Sequence, residues 1–210
     1  MIKKYSIIIV TFLFIIFLTE CASYTAVLKN VEKNKKLEEK VKTYKMEGIL
    51  KIPGSQSDPN EAYYEDNIIS IKFMVPPQTY NSIHFILTNK TENNMKLLWD
   101  EAVLIDIDGN TNRITHSTVI RLSNLNELNK QQLPSIIASK SSLNRYIFCV
   151  DKIYLDQDGR PHIGDIFPQE PDNNTLRSLV GKDFKIILPL QIENDVYEYK
   201  FIFQITDAKY

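Results

Sequence analysis

The chain has 210 residues and a formal net charge of −1, so no basic field draws it to nucleic acid. Hydrophobic residues at 43% and charged residues at 24% are ordinary globular values. The two cysteines are too few for a disulfide framework.

Lys3 and Lys4 precede an uncharged stretch from Tyr5 to Thr19, and Ile7 to Leu18 is almost wholly apolar. A helix that crosses a bilayer needs roughly 20 apolar residues. This run is shorter and Glu20 stops it, so it reads as the core of a signal peptide over residues 1–20. It ends in Leu18-Thr19-Glu20-Cys21, which resembles the bacterial lipobox. Leu18, Thr19 and Cys21 fit that pattern, and Glu20 stands where Gly, Ala or Ser is expected. The resemblance implies cleavage before Cys21, a diacylglycerol on its thiol and acylation of the new N-terminus. Each buried CH₂ of such chains contributes about 0.8 kcal/mol, so two or three chains hold a protein firmly. The other reading of the same residues is an uncleaved N-terminal anchor with Cys21 as an ordinary residue. Ala22 does not resemble the Asp that retains such proteins in the inner membrane of enteric bacteria. The expected address is therefore the bacterial envelope, lipid-anchored, with the outer membrane slightly favoured and the domain facing the periplasm or the cell surface.

Residues 21–45 are rich in Lys and Glu. Val27, Leu28, Val31, Leu37, Val41 and Tyr44 recur at roughly helical spacing, and Glu32–Lys36 and Glu38–Lys42 are favourable i,i+4 pairs. This pattern predicts a charged helical tether. Residues 53–62 hold two prolines, Gly54 and small polar residues, and read as a loop.

Beyond that loop the period becomes alternating. Ile69, Ile71 and Phe73 share one strand face; Ile83, Phe85 and Leu87 share the next. Leu97, Trp99, Val103 and Ile105 suggest a long third strand, but Leu98 and Leu104 break its phase, which indicates a bulge or two-sided burial. Ile114, His116 and Thr118 line a fourth. Residues 121–144 lose the pattern and read as a long excursion with one edge strand. Alternation returns at Tyr146, Phe148 and Val150 and continues towards Ile153 and Leu155. Residues 156–174 contain three prolines and two glycines and read as loop. Asn174 to Val180 reads as a short helix ended by Gly181. Two clear strands follow, with Phe184, Ile186, Leu188, Leu190 and Ile192 on one face and Tyr197, Tyr199, Phe201, Phe203 and Ile205 on another. Asn194-Asp195 between them reads as a hairpin turn.

Seven to nine short strands with turn punctuation and no βαβ spacing predict an all-β antiparallel sandwich over residues 46–210. The stretch FILTNKTENNMKLLWDEAVLIDIDG resembles the core hairpin of exported immunoglobulin-like sandwich domains of bacteria, at the level of pattern and over about residues 82–118. The resemblance implies an immunoglobulin-like fold in a class of lipoproteins that commonly have no assigned activity.

Candidate chemistry is sparse. Asp106, Asp108 and Asn110 offer oxygen ligands at short spacing, as a cation or ligand loop would. The same Asp-x-Asp-Gly form recurs at Asp156-Gln157-Asp158-Gly159. The competing reading is turn chemistry, because Asp-Gly between alternating runs marks a hairpin. Asp100 and Glu101 follow Trp99, and one of them should turn partly inward, where a carboxylate must be paired; Arg113 or Arg121 is the expected partner. Cys149 sits in an apolar run and reads as a buried small hydrophobe. His84, His116 and His162 are too dispersed for a zinc site. Asn89-Lys90-Thr91 and Asn173-Asn174-Thr175 match the glycosylation sequon, but a bacterial lipoprotein would seldom meet the enzyme that uses it.

The expectation is a non-catalytic binding or structural module, with no cofactor and with a membrane and an envelope protein as partners. The loops at 121–144 and 156–174 are the expected binding elements. The rival is an envelope hydrolase using Asp100, Glu101 or His116.

Overall fold

The computed structural model describes residues 23–37, 46–48, 61–74, 81–116, 128, 130–167 and 173–209. The signal-peptide stretch and Cys21 lie outside the described residues, as do Arg121 and Thr118. In chain order the strands are β1 (Ser23–Leu37), β2 (Met46–Gly48), β3 (Glu61–Glu65), β4 (Ile69–Met74), β5 (Ile83–Asn89), β6 (Met95–Leu97) and β7 (Val103–Ile105). They continue as β8 (Thr111–His116), β9 (Ser135–Ile137), β10 (Ser142–Cys149), β11 (Ile153–Leu155), β12 (Pro161–Ile163), β13 (Asp183–Ile192) and β14 (Asp195–Lys209). One helix, α1 (Asn173–Leu179), precedes β13. The fold is all-β, and every strand pair among the described residues is antiparallel.

A single hydrogen-bonded path runs β2-β1-β14-β13-β7-β8-β10-β5-β4-β3, with β6 joining β13 and β9 pairing with β6. β11 and β12 form a separate ribbon. The path closes on itself through its side chains. The Phe73 ring on β4 lies 4.9 Å from Phe201 and 5.2 Å from Phe203 on β14. Tyr64 on β3 meets Phe201 edge-on at 6.0 Å. β3 and β4 at one end of the path therefore face β14 near the other, giving a sandwich-like body. β8 is shared by both layers: residues 111–113 pair with β7, and residues 114–116 pair with β10.

The core follows the alternation in the sequence. Ile69, Ile71 and Phe73, then Ile83, Phe85 and Leu87, are buried on one layer; Phe184, Ile186, Leu188 and Leu190 meet Tyr199, Phe201, Phe203 and Ile205 on the other. Each such side chain contributes roughly 1.5–3 kcal/mol by leaving water.

Four local differences from the sequence reading have physical causes. Ser23–Leu37, expected to be helical, is strand β1 and pairs with β14 along its length, with Glu32 opposite Lys200 and Val31 opposite Phe201. Helix propensity is a weak prior, and a fifteen-residue β14 needs a second partner for its outer backbone groups. The expected third strand is interrupted: Trp99–Glu101 is a 3₁₀ turn between β6 and β7, which moves Leu104 rather than Val103 and Ile105 to the core. On β10 the buried set is Leu143, Ile147 and Cys149, so Tyr146 and Phe148 occupy the outer face. The last hairpin turns one residue earlier than expected, at Glu193 (φ 53°) and Asn194, with Asp195 already paired to Ile192.

Candidate functional site

The Asp106 loop is a hairpin turn joining β7 to β8. Asp106 Oδ1 accepts hydrogen bonds from the backbone N–H of Asp108 (3.1 Å) and Asn110 (2.9 Å). Asp106 Oδ2 accepts from the Asn112 side-chain amide at 3.2 Å. Gly109, at φ +85°, supplies the left-handed turn residue. Burial alone would raise the Asp106 pKa, but the bonds from Asn110, Asn112 and Asp108 outweigh it and hold the carboxyl below its usual range. Asp108 reaches away to Lys182 Nζ at 3.2 Å. The three residues of the expected cation or ligand loop are thus brought together as one capped turn beside a cleft of about 220 Å³.

The second Asp-x-Asp-Gly stretch builds the same device between β11 and β12. Asp156 Oδ1 accepts from Asp158 N–H (2.9 Å) and Arg160 N–H (2.7 Å), and Gly159 has φ +74°. His162 takes the place that Asn112 holds in the first turn, with Nε2 2.8 Å from Asp156 Oδ2. Among the described residues, no cluster of three or more His, Cys, Asp or Glu is arranged to hold a metal ion.

The rival hydrolase residues are separated by role. Asp100 pairs with Arg113 (Oδ1–NH2 3.1 Å), the expected partner, and also accepts the Gln132 backbone N–H at 2.8 Å, but it is exposed rather than turned inward. Glu101 is exposed. His116 is buried against Trp99, with ring centroids 4.5 Å apart. Burial, and then the Arg145 guanidinium, lower its pKa to about 4, so the ring is neutral at physiological pH. Cys149 is buried, and burial pushes its thiol up to about 12, the opposite of a nucleophile's environment. His84 stacks on Tyr146 at the outer face, with Nε2 2.5 Å from Asn144 Oδ1.

Three residues whose structural part the sequence did not reveal organise this region. Asn89 is fully buried. Its amide donates to the carbonyls of Asn93 (2.7 Å), Ala138 (3.1 Å) and Ile137 (3.2 Å), and its oxygen accepts from Thr91 N–H and Oγ1. The sequon at Asn89 is therefore an internal clamp and has no amide free for a sugar. Gln132 is buried and donates from Nε2 to the Ile114 carbonyl at 2.8 Å. Ser135 accepts from Trp99 Nε1 at 2.9 Å. The only sequence signal for this knot was a cluster of Asn, Gln and Ser between apolar runs.

These anchors hold β9 as an edge strand. Among the described residues β9 pairs on one side only, with β6. Leu133 and Ile136 stand 82% and 68% exposed on it and on its approach. A cleft of about 380 Å³ lies beside Leu133, lined also by His116 and Lys130. Another of about 330 Å³ lies beside Ile136, lined also by Lys96 and Glu193. The chain matches no family model, and no curated protein or solved structure matches it.

Proposed function

We propose that this chain is a bacterial envelope lipoprotein, held in the membrane by acyl chains on Cys21, whose immunoglobulin-like β-sandwich is a non-catalytic binding module. The observation that carries the binding reading is the edge at β9. Two large apolar side chains, Leu133 on the approach and Ile136 on the strand, stand in solvent on a segment tied down by Gln132 and Ser135. Large apolar side chains held out in solvent beside a fixed backbone mark an interaction surface. It falls within the 121–144 excursion.

Two of the three groups that a hydrolase would use are engaged elsewhere. Asp100 is held by Arg113, and the His116 ring is packed on Trp99. The lipid anchor rests on the resemblance of Leu18-Thr19-Glu20-Cys21 to the lipobox. Two experiments test the proposal. Labelled palmitate should enter the wild-type chain and not Cys21→Ala, which should leave the membrane fraction. Affinity purification of the lipidated protein from its own envelope should recover a protein partner. Incorporation failing in the wild type defeats the anchor, and an empty purification defeats the binding module.

A further inference from the structure

Resting on the lipid-anchor reading, we infer that the sandwich sits directly on the bilayer by one end, where the β11–β12 ribbon and Val180 enter the phospholipid headgroup layer beside the anchor.

The anchor fixes which end. One residue, Ala22, separates Cys21 from Ser23, where β1 begins already paired with Lys209 of β14. An extended chain spans at most ~3.6 Å per residue, so the sheet starts within ~7 Å of the acylated residue's backbone. The sheet therefore begins at the membrane and not beyond a tether.

The strand registers carry that end across the fold. Ala26 lies opposite Ile205, whose N–H donates to the Lys182 carbonyl and whose carbonyl accepts from Gly181 N–H. Lys185 then faces Ile105, and Ile105 faces Thr111, so the Asp106 turn closes the same end. β10 runs antiparallel to β8 and leaves there through Cys149, opposite Ile114. The chain turns at Val150–Lys152 directly into the ribbon. Lys152 and Asp165, at the root of the ribbon, share a cleft with Asp106 and Asp108.

The ribbon stands clear of the body. Neighbouring residues of a strand point to opposite faces, yet Tyr154 and Leu155 are 56% and 54% exposed, so neither face is covered there. A two-stranded hairpin by itself is marginal in water. This one is rooted: Gly164 N–H donates to the Lys152 carbonyl and Lys152 Nζ to the Asp165 carbonyl, each at 2.7 Å. Beyond the root, the Phe167 ring packs on Phe184 at 5.1 Å. Val180, 47% exposed, directly precedes Gly181 in the row that leads to Ala26.

The chemistry of this end suits a lipid surface. A tyrosine ring settles at headgroup level, and Leu155 and Val180 add apolar area. The ribbon and its root carry Asp151, Asp156, Asp158 and Asp165 against Lys152 and Arg160. That balance gives anionic lipid no advantage, so the contact is apolar and fits zwitterionic headgroups. The anchor makes the contact intramolecular, so a small apolar area suffices. The ten residues of β13 span ~30 Å, and β6 pairs with its far end, at Gln191. The β9 edge, paired with β6, is thereby held away from the lipid for a partner in the aqueous space.

The test places the fluorophore NBD on single cysteines of the lipidated chain, inserted into the outer leaflet of preformed phosphatidylcholine vesicles. Cys21 is acylated and Cys149 is buried, so Leu155→Cys, Val180→Cys and Asn194→Cys each take one label. Asn194 is exposed in the hairpin at the far end. External dithionite should reduce the labels at 155 and 180 at least about tenfold more slowly than the label at 194. Adding phosphatidylglycerol should not slow the reaction further. Tyr154→Ser in the Leu155→Cys chain should speed reduction by about threefold, through the lost ring. Circular dichroism and Trp99 emission check that each variant is folded. In the lipid-free Cys21→Ala chain, the label at 155 should react as fast as that at 194.

Reduction at 155 or 180 as fast as at 194, in a chain that still takes up palmitate, overturns the proposal and leaves the anchor standing. Protection at 155 in the lipid-free chain also overturns it, since a second copy would then cover the ribbon. Protection that requires phosphatidylglycerol overturns the apolar contact. A wild-type chain that takes up no palmitate removes the anchor and this contact together.

Discussion

Replacing Asn89 by aspartate keeps the shape of the side chain and reverses the sense of its three donor contacts. The wild-type amide donates to the carbonyls of Asn93, in the bend before β6, and of Ile137 and Ala138, at the end of β9. In Asn89→Asp an oxygen faces those three oxygens from a site with no exposure to solvent. One oxygen keeps its bonds from Thr91, but a buried carboxylate whose other oxygen meets only carbonyls costs about 3–5 kcal/mol, to which the lost bonds contribute. Asn89→Ala removes the same bonds without adding a charge and leaves the exposed ends of the turns to find water, at a cost of about 2–4 kcal/mol. For a domain of this size each kcal/mol lowers Tm by about 2–4 °C. The order of stability should be wild type, then alanine, then aspartate, measured by urea unfolding followed through Trp99 emission and circular dichroism. Lowering the pH should narrow the gap between aspartate and wild type, because a carboxyl whose folded pKa is raised costs most above that pKa and least below the unfolded value. An aspartate variant as stable as alanine, or within about 1 kcal/mol of wild type, refutes the clamp.

His116 gives a pH prediction. Its folded pKa of about 4 lies below the unfolded value of about 6.5, so the unfolded chain binds the extra proton between them. Its contribution is fully present above about pH 6.5 and is lost as pH falls towards 4, a loss of about 2–3 kcal/mol that His116→Gln should remove from the acid limb of a pH-stability curve. The same protonation should quench the buried Trp99, whose ring is 4.5 Å away, and a quench centred near pH 6.5 would contradict the burial argument. Gly109→Ala should cost about 1 kcal/mol through φ alone, since nothing lies within 4 Å of the added Cβ, and Gly109→Asn should cost less; equal losses would point to a contact instead. Tyr199→Phe should cost about 1–3 kcal/mol in urea unfolding by removing the 2.9 Å bond from its hydroxyl to Asp66 Oδ2, and a neutral result would mean that water or another donor replaces it.

Much of the body was legible because alternation and burial coincide. The Phe184 and Phe201 faces, the Ile69 and Phe85 faces and the helix closed at Gly181 all follow from period and turn chemistry. The misreadings share a cause: the deciding partner is distant in sequence. β1 is a strand because β14 lies beside it, although its own Lys and Glu spacing favours a helix. β3 (EAYYE) hides a two-residue period behind terminal glutamates, and only pairing with β4 fixes it. The parity of β10 is set by β5, where Arg145 sits opposite Phe85 and turns Tyr146 outward. At the candidate site, the exposed Leu133 looks like any loop leucine until Gln132 and Ser135 are seen tied to residues more than ten positions away.

One strand belongs to both layers, and this governs how the molecule comes apart. Because β8 bonds to β7 with its first half and to β10 with its second, neither layer can peel away without tearing the ladder of the other. Native-state hydrogen exchange should therefore release the amides of β7, β8 and β10 in one step with a common opening energy, as a zip fastened in the middle yields from neither end alone.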